Sequence, residues 1–214
     1  MIYSDHIRHI YLYNDNSCIY TDGVCESCED CFESYSTGFY HTLGLKSDGT
    51  VEAWGGTNNS GPNNLNFGET EVPDDLTDVI AVEGSYGHSL ALKSDGTVVG
   101  WGLNDDGQVN IPEDLTDVIA IQAGRNHSLA LKSDGTVVGW GLNDVGQIDI
   151  PSDLNDVILI STGWHSSLAL KSDGTLVGWG DNSWGLTDIP QGLSDVVSMS
   201  INSYSSNALL QDGT

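Results

Sequence analysis

Apolar and polar positions along the chain fall into short runs that return at a fixed spacing. Residues 88–102, HSLALKSDGTVVGWG, recur almost unchanged at 127–141, with weaker copies on either side. Their Asp-Gly-Thr falls at Asp48, Asp95, Asp134, Asp173 and Asp212, giving steps of 47, 39, 39 and 39 residues, and a constant period of that size denotes a repeat architecture. Within one copy, SLALKS and TVVGWG are runs rich in β-branched and apolar residues joined by Asp-Gly, which predicts a hairpin with a primed turn. A third apolar run precedes each hairpin, VIAV at 79–82, VIAI at 118–121, VILI at 157–160 and VVSM at 196–199. Each repeat therefore offers three antiparallel strands.

Leu90 and Leu92 fall on one face of their strand and Ala91 on the other, so both faces are apolar and both need cover. A single three-stranded sheet cannot supply it. Copies stacked face to face can, and because sheets twist, the stack curls around an axis into a β-propeller of about five short blades, an all-β fold. A parallel β-solenoid is the rival architecture, and a tight hairpin turn in every repeat argues against it.

The two ends read as halves of one repeat. Tyr13 aligns with Trp101 and, in a register shifted by two, Phe32 with Val118 and Tyr35 with Ile121, so residues 1–38 form a degenerate half repeat and 39–214 the regular ones, within one domain. The sequence closes on Asp212-Gly213-Thr214, where the outgoing strand of a hairpin begins. The expectation is that residues 10–14, IYLYN, pair with the strand around 208–210, closing the ring and removing two sheet edges. The alternative is an open arc, a fragment or one completed by a second copy as a homo-oligomer. The first full repeat is eight residues longer than the others, within an Asn-, Gly- and Pro-rich loop at 55–73. Pro73, Pro112, Pro151 and Pro190 stop strand pairing where the chain crosses between blades.

Composition narrows the partners. Against 31 Asp and Glu stand 6 Lys and Arg, a formal charge of −25, which repels nucleic acid and anionic membranes and favours cationic partners or a solvated acidic surface. No apolar run is long enough to cross a membrane as a helix, and the first residues show no basic region followed by an apolar core. Localisation stays open.

The string GxxHSLALKSDGTVVGWGxNxxGQ resembles the repeat of the regulator of chromosome condensation family over roughly residues 34–214, and its short period is most similar to the propeller-type β-lactamase inhibitory proteins. The resemblance implies a propeller of three-stranded blades, although relatives with so short a repeat usually have more than five. In the inhibitory proteins the loops of one face bind the target enzyme; chromatin-associated members exchange nucleotide on a small GTPase. The chain's acidity and short repeats count against the second activity.

A catalytic group is normally unique, whereas a residue returning in every repeat has one structural job. His41, His88 and His127 share a repeat position that Ser166 fills in the fourth copy, which makes them buried, hydrogen-bonded histidines rather than general bases. Trp54, Trp101, Trp140 and Trp179 are equally periodic and predict packing between blades; Lys46, Lys93, Lys132 and Lys171 are solvated. No catalytic residue emerges. Departures from the repeat concentrate in two loops, one before the repeated His (Phe39-Tyr40, Tyr86-Gly87, Arg125-Asn126, Trp164-His165, Ser203-Tyr204) and one after Trp-Gly (Asp105-Asp106, Asp144-Val145, Ser183-Trp184). One loop enters a strand and the other leaves its hairpin partner, so both emerge at the same end. From them Tyr40, Tyr86, Arg125, Asn126, Trp164, His165, Tyr204, Asp105, Asp106, Asp144 and Trp184 are candidate contacts for a protein partner, since interface centres favour aromatics and Arg. The bland alternative is that these side chains cap one end of the propeller.

Cys18, Cys25, Cys28 and Cys31 hold the whole cysteine content. Their overlapping Cys-x-x-Cys spacing leaves two disulfides, free thiols and a metal site open, ranked in that order, because a zinc site favours separated pairs and Glu26, Glu29 and Asp30 would raise the thiol pKa. Part of a calcium-loop pattern at Asn104, Asp106, Gly107 and Glu113 lacks its first ligand, Gly102 standing there. The resulting expectation is a non-enzymatic binding module without cofactor. An enzyme inhibitor, a GTPase exchange factor and a metal-dependent enzyme built on the cysteines are the alternatives.

Overall fold

A computed structural model describes residues 18–21, 24–28, 32–56 and 67–214, the first two segments by their backbone alone. Strands β1 (Cys18–Thr21) and β2 (Val24–Cys28) pair antiparallel with Cys18 opposite Cys28. The repeats then follow as sheets in chain order. β3 (Phe32–Thr37), β4 (His41–Lys46) and β5 (Val51–Gly55) make the first blade, and β6 (Val79–Gly84), β7 (His88–Lys93) and β8 (Val98–Gly102) the second. The third holds β9 (Val118–Ala123), β10 (His127–Lys132) and β11 (Val137–Gly141), the fourth β12 (Val157–Thr162), β13 (Ser166–Lys171) and β14 (Leu176–Gly180). β15 (Val196–Ile201) and β16 (Ser206–Leu210) form the fifth, which has two strands among the described residues instead of the expected three. The closing strand expected at residues 10–14 lies outside the described residues, as do the side chains of the cysteine segment.

Every pairing is antiparallel, and Phe32 sits opposite Lys46 as Val118 sits opposite Lys132, in the alignment the sequence suggested. The first strands of successive blades contact one another, so they line the axis of a β-propeller with the hairpins radiating outward.

Large and small residues alternate across each blade interface. Leu43 and Leu45 of the first blade pack on Ala91, Val79, Val82 and Trp101 of the second, and Leu90 and Leu92 of the second on Ala130, Val118, Ile121 and Trp140 of the third. Leu129 and Leu131 repeat the arrangement against Ala169, Val157, Ile160 and Trp179. At these three interfaces the leucine face meets the alanine face of the next copy, and each buried Leu contributes about 1.5–3 kcal/mol that an isolated blade would forfeit.

The hairpin turn differs from the expected primed form. Gly96 N–H donates to the Lys93 carbonyl at 2.9 Å, Lys93 N–H to Thr97 at 2.9 Å, and only Gly96 has positive φ, at 81°. This is a type I turn closed by a glycine bulge. Asp95 stays out of the left-handed region because its carboxylate accepts the N–H and hydroxyl of Thr97, at 3.0 and 2.6 Å. Left-handed aspartates occur elsewhere, at Asp78, Asp117, Asp156 and Asp195, just before each first strand. There the next N–H reaches back to the preceding blade's turn glycine, as Val157 does to Gly135 at 3.2 Å.

A polar latch joins neighbouring blades beneath their upper ends. His88 Nε2 lies 3.1 Å from Ser128 Oγ, and that hydroxyl donates to the Gln108 carbonyl at 2.9 Å, which Trp140 Nε1 also reaches at 2.9 Å. The same set recurs with His41, Ser89, Trp101 and the Glu69 carbonyl, and with His127, Ser167, Trp179 and the Gln147 carbonyl. Trp54 departs from this role. It is exposed and packs on Phe32 and Tyr35 of its own blade.

Candidate functional site

The connections from first to middle strand are only three residues long in the first four blades, closed by hydrogen bonds such as Gly124 N–H to His127 O at 2.9 Å and Gly163 N–H to Ser166 O at 2.8 Å. So tight a connection directs its central side chains away from the sheet. The five connections converge on the axis and enclose a funnel of about 260 Å³, lined in part by Phe39, Tyr86, Arg125, Trp164 and Asn202.

The loops after Trp-Gly emerge at the same end. Leu103 N–H donates to the Gly87 carbonyl, Leu142 to Asn126 and Asp181 to His165, each at 2.8 Å, and Asn126 Nδ2 donates to Asp106 Oδ2 at 2.5 Å.

At the funnel mouth the aromatic candidates touch. Phe39 and Tyr40 stack edge-on at 4.8 Å between centroids, Tyr40 and Tyr86 lie 5.3 Å apart, and Trp164 and Tyr204 6.1 Å apart. Phe39 reaches across the axis to Trp164 at 6.5 Å. Arg125 links the two sides: its guanidinium carbon stands 4.9 Å from the Tyr86 ring centre and 4.8 Å from that of Trp164. A cation between two ring faces is held by both quadrupoles and loses rotamer freedom. A hydrogen bond with Tyr86 holds the Tyr40 hydroxyl above the usual phenol range.

The structure thus gathers Tyr40, Tyr86, Arg125, Trp164 and Tyr204 into one cluster and sets Asn126 and Asp106 at its border. Asp105 and Asp144 are exposed on the outer loops, where Asp144 braces its own loop by accepting from Gln147 Nε2 at 2.9 Å. His165 is half-buried, its carbonyl tying the two loops of the fourth blade. Trp184 is 77% exposed and makes no ring contact with the cluster among the described residues.

The cluster includes two residues beyond the candidate contacts, one of them from an irregular loop already identified in the sequence. Phe39, 62% exposed, opens the first of the irregular loops, and Phe67, on the enlarged linker, lies 6.1 Å from Tyr86. Phe67 occupies the register position of Asp106, a correspondence hidden by the eight-residue insertion. Glu83 also went unnoticed. It lies on β6 below the mouth, where Ser36 Oγ donates to it at 3.3 Å and Gln122 Nε2 at 3.0 Å; burial pushes its carboxyl up to about 7, the Ser36 bond offsetting part of the rise. Its equivalents in other blades are Ser36, Gln122, Ser161 and Ser200, so a carboxyl in a series of neutral residues was the available signal.

The repeated His and Ser pairs are not nucleophile and base. Each serine hydroxyl donates to a backbone carbonyl, so it accepts from the imidazole, which fixes the proton on Nε2 and leaves Nδ1 of His41, His88 and His127 buried without a partner. Burial, reinforced by the neighbouring histidines, pushes His88 down to about 3 and, with His165 nearby, His127 to about 4, while burial also lowers His41. Neutral imidazoles donating to serine are scaffold. Among the described residues no group of three His, Cys, Asp or Glu side chains is placed to hold a metal ion.

The Regulator of chromosome condensation (RCC1) repeat profile matches residues 79–108, 118–147 and 157–185, the second, third and fourth blades. These are regulator of chromosome condensation repeats. The RCC1 propeller is likewise the fold of the solved structures it is similar to. Prp20p from Saccharomyces cerevisiae superposes with a TM-score of 0.70 at 21% identity, over 84% of this chain and 56% of that one. Human WBSCR16 gives 0.67 at 20% identity, over 87% and 61%, and the ectodomain of the Physcomitrella patens receptor kinase CR4 gives 0.65 at 23%, over 85% and 51%. The chain therefore spans little more than half the length of these relatives. No curated protein sequence matches it.

Proposed function

We propose that this RCC1-repeat propeller is a non-enzymatic module that binds a protein partner through the mouth of its axial funnel. The observation that carries the reading is the clustering of aromatic side chains around one clamped arginine, all from positions where the repeat breaks its own pattern. Rigid aromatics and Arg dominate the energetics of protein interfaces because they bury large area at low entropic cost. Prp20p, whose structure was described together with its binding to Gsp1p and histones, is a propeller of this type that engages proteins.

A photo-cross-linking amino acid at Phe39 or Tyr204, compared with one at Ile119 or Ile158 near the start of their strands and so about 15 Å further down the blade, tests this in cells of the source organism. The mouth positions are expected to yield one shared protein adduct and the lower positions none. Adducts confined to the lower positions would refute it.

A further inference from the structure

We infer that the mouth is a receptor for a side-chain carboxylate, an Asp or Glu of the partner with apolar residues on both sides; this rests on the binding role just proposed. The chain carries 31 acidic residues against 6 basic ones, so its cations have carboxylates to spare. Lys46 pairs with Glu52 at 2.5 Å and Lys171 lies 3.9 Å from Asp173. Arg125, like Lys93 and Lys132, has no ion pair among the described residues, but of these three it alone lines the funnel, with its Nε buried without a hydrogen-bond partner. In a molecule of this charge, an arginine facing a funnel, its Nε without a partner and none of the described carboxylates upon it, is a cation kept for something from outside.

Its setting defines what fits. Tyr86 and Trp164 cover the guanidinium, which leaves its N–H edge as the route for recognition. That edge matches a carboxylate, which can accept two parallel bonds in plane. Phe39 and Tyr40 extend the apolar rim on the Tyr86 side and Tyr204 extends it on the Trp164 side. Apolar contact is therefore offered to residues before and after the acid, which an internal Glu or Asp satisfies and a chain end does not. The acidic surface around the mouth repels a broadly acidic partner, so the arginine selects a single acid in an apolar setting.

The test uses three blocked peptides and calorimetry: acetyl-Phe-Glu-Phe-amide, acetyl-Phe-Gln-Phe-amide, and acetyl-Phe-Phe with a free C-terminal carboxylate. On the wild-type chain the Glu peptide is expected to bind at least about tenfold more tightly than the Gln peptide, the scale of a charge-assisted hydrogen bond. On Arg125→Gln that preference disappears, and Arg125→Lys, which keeps charge but not the planar fork, restores only part of it. Circular dichroism of both variants checks folding, and a variant that unfolds is replaced by Tyr86→Leu with Trp164→Leu, which removes the clamp and predicts the same loss. Equal affinity for Glu and Gln peptides, or no binding of either, overturns the carboxylate assignment, while the cross-linking experiment judges the binding role separately. Tighter binding of the free-terminus peptide overturns the choice of an internal acid.

Discussion

Acidification should loosen this propeller through its own latches, well before the surface carboxylates protonate. His88 and His127 are neutral in the fold, with pKa values pushed down to about 3 and about 4, whereas an unfolded histidine takes up its proton near 6.5. A group with a depressed folded pKa of this kind gives stability that is complete above the unfolded value and is lost as pH falls toward the folded one. Each such histidine costs about 1.4 kcal/mol per pH unit in that window, so the two cost about 3 kcal/mol per unit below about pH 6. Glu83 acts in the opposite sense. Its carboxyl is raised to about 7, so the folded state holds a proton that the unfolded state has released, and it adds about 1.4 kcal/mol per unit as pH falls from about 7 to about 4.5. The wild-type slope between about pH 6 and 5 is thus at least about 1.5 kcal/mol per unit, the lowered His41 adding to it in the same sense. Glu83→Gln, which installs the residue that Gln122 already provides at the equivalent place, removes the opposing contribution and should steepen the slope by about 1.4 kcal/mol per unit. Urea unfolding followed by tryptophan fluorescence at several pH values in this window measures both slopes. Flat stability in the wild type, or an unchanged slope in Glu83→Gln, would show that the histidines are not neutral latches or that Glu83 ionises normally.

Further expectations concern single contacts. Gly135→Ala places a Cβ at a φ of 79°, 3.3 Å from Asp156 Cα, and should cost about 1–2 kcal/mol by chemical denaturation. Trp140→Phe keeps one six-membered ring but removes the pyrrole half and its bond to the Gln108 carbonyl; because Ser128 still serves that carbonyl, the hydrogen bond contributes only about 1 kcal/mol, and the void left in the blade interface brings the total loss by chemical denaturation to about 2–3 kcal/mol. Trp184→Ala should leave the melting temperature within about a degree of wild type, given its exposure, and Trp164→Ala should lower it measurably through loss of its contacts with Arg125 and Tyr204. Below about pH 4 a second phase of destabilisation should begin as Asp95, Asp134 and Asp173, held below the usual carboxylate range by their threonines, are forced to protonate.

Most of the scaffold was legible because it is written several times. Leu90, Leu92 and Ala91 carry their packing partners in their alternation, and the return of His at one repeat position predicts the buried, hydrogen-bonded imidazoles, although not that each partner is a serine of the next blade. The turn differs from the primed form for a local reason: Asp-Gly suits a primed turn, but Thr97 captures the Asp95 carboxylate and leaves glycine alone to turn the chain. Trp54 differs from its copies in a way that periodicity does not reveal: no described linker carbonyl lies over it as the Glu69 carbonyl lies over Trp101. The mouth was legible as a set of irregular positions but not as a contact map. That Arg125 slots between Tyr86 and Trp164 depends on the curvature of the blade stack, which sequence spacing does not encode. Trp184 looked equivalent to Trp164 in the pattern, yet it sits one loop further out.

Hydrogen exchange of the chain with its captured partner, compared with the chain alone, addresses the account where it is most exposed. Protection concentrated in 37–40, 84–87, 123–126, 162–165 and 201–204, the loops of the funnel mouth, is the predicted result. Protection centred instead on the start of the first strands, around Ile80, Ile119 and Ile158, would place the binding face at the other end of the propeller and contradict it.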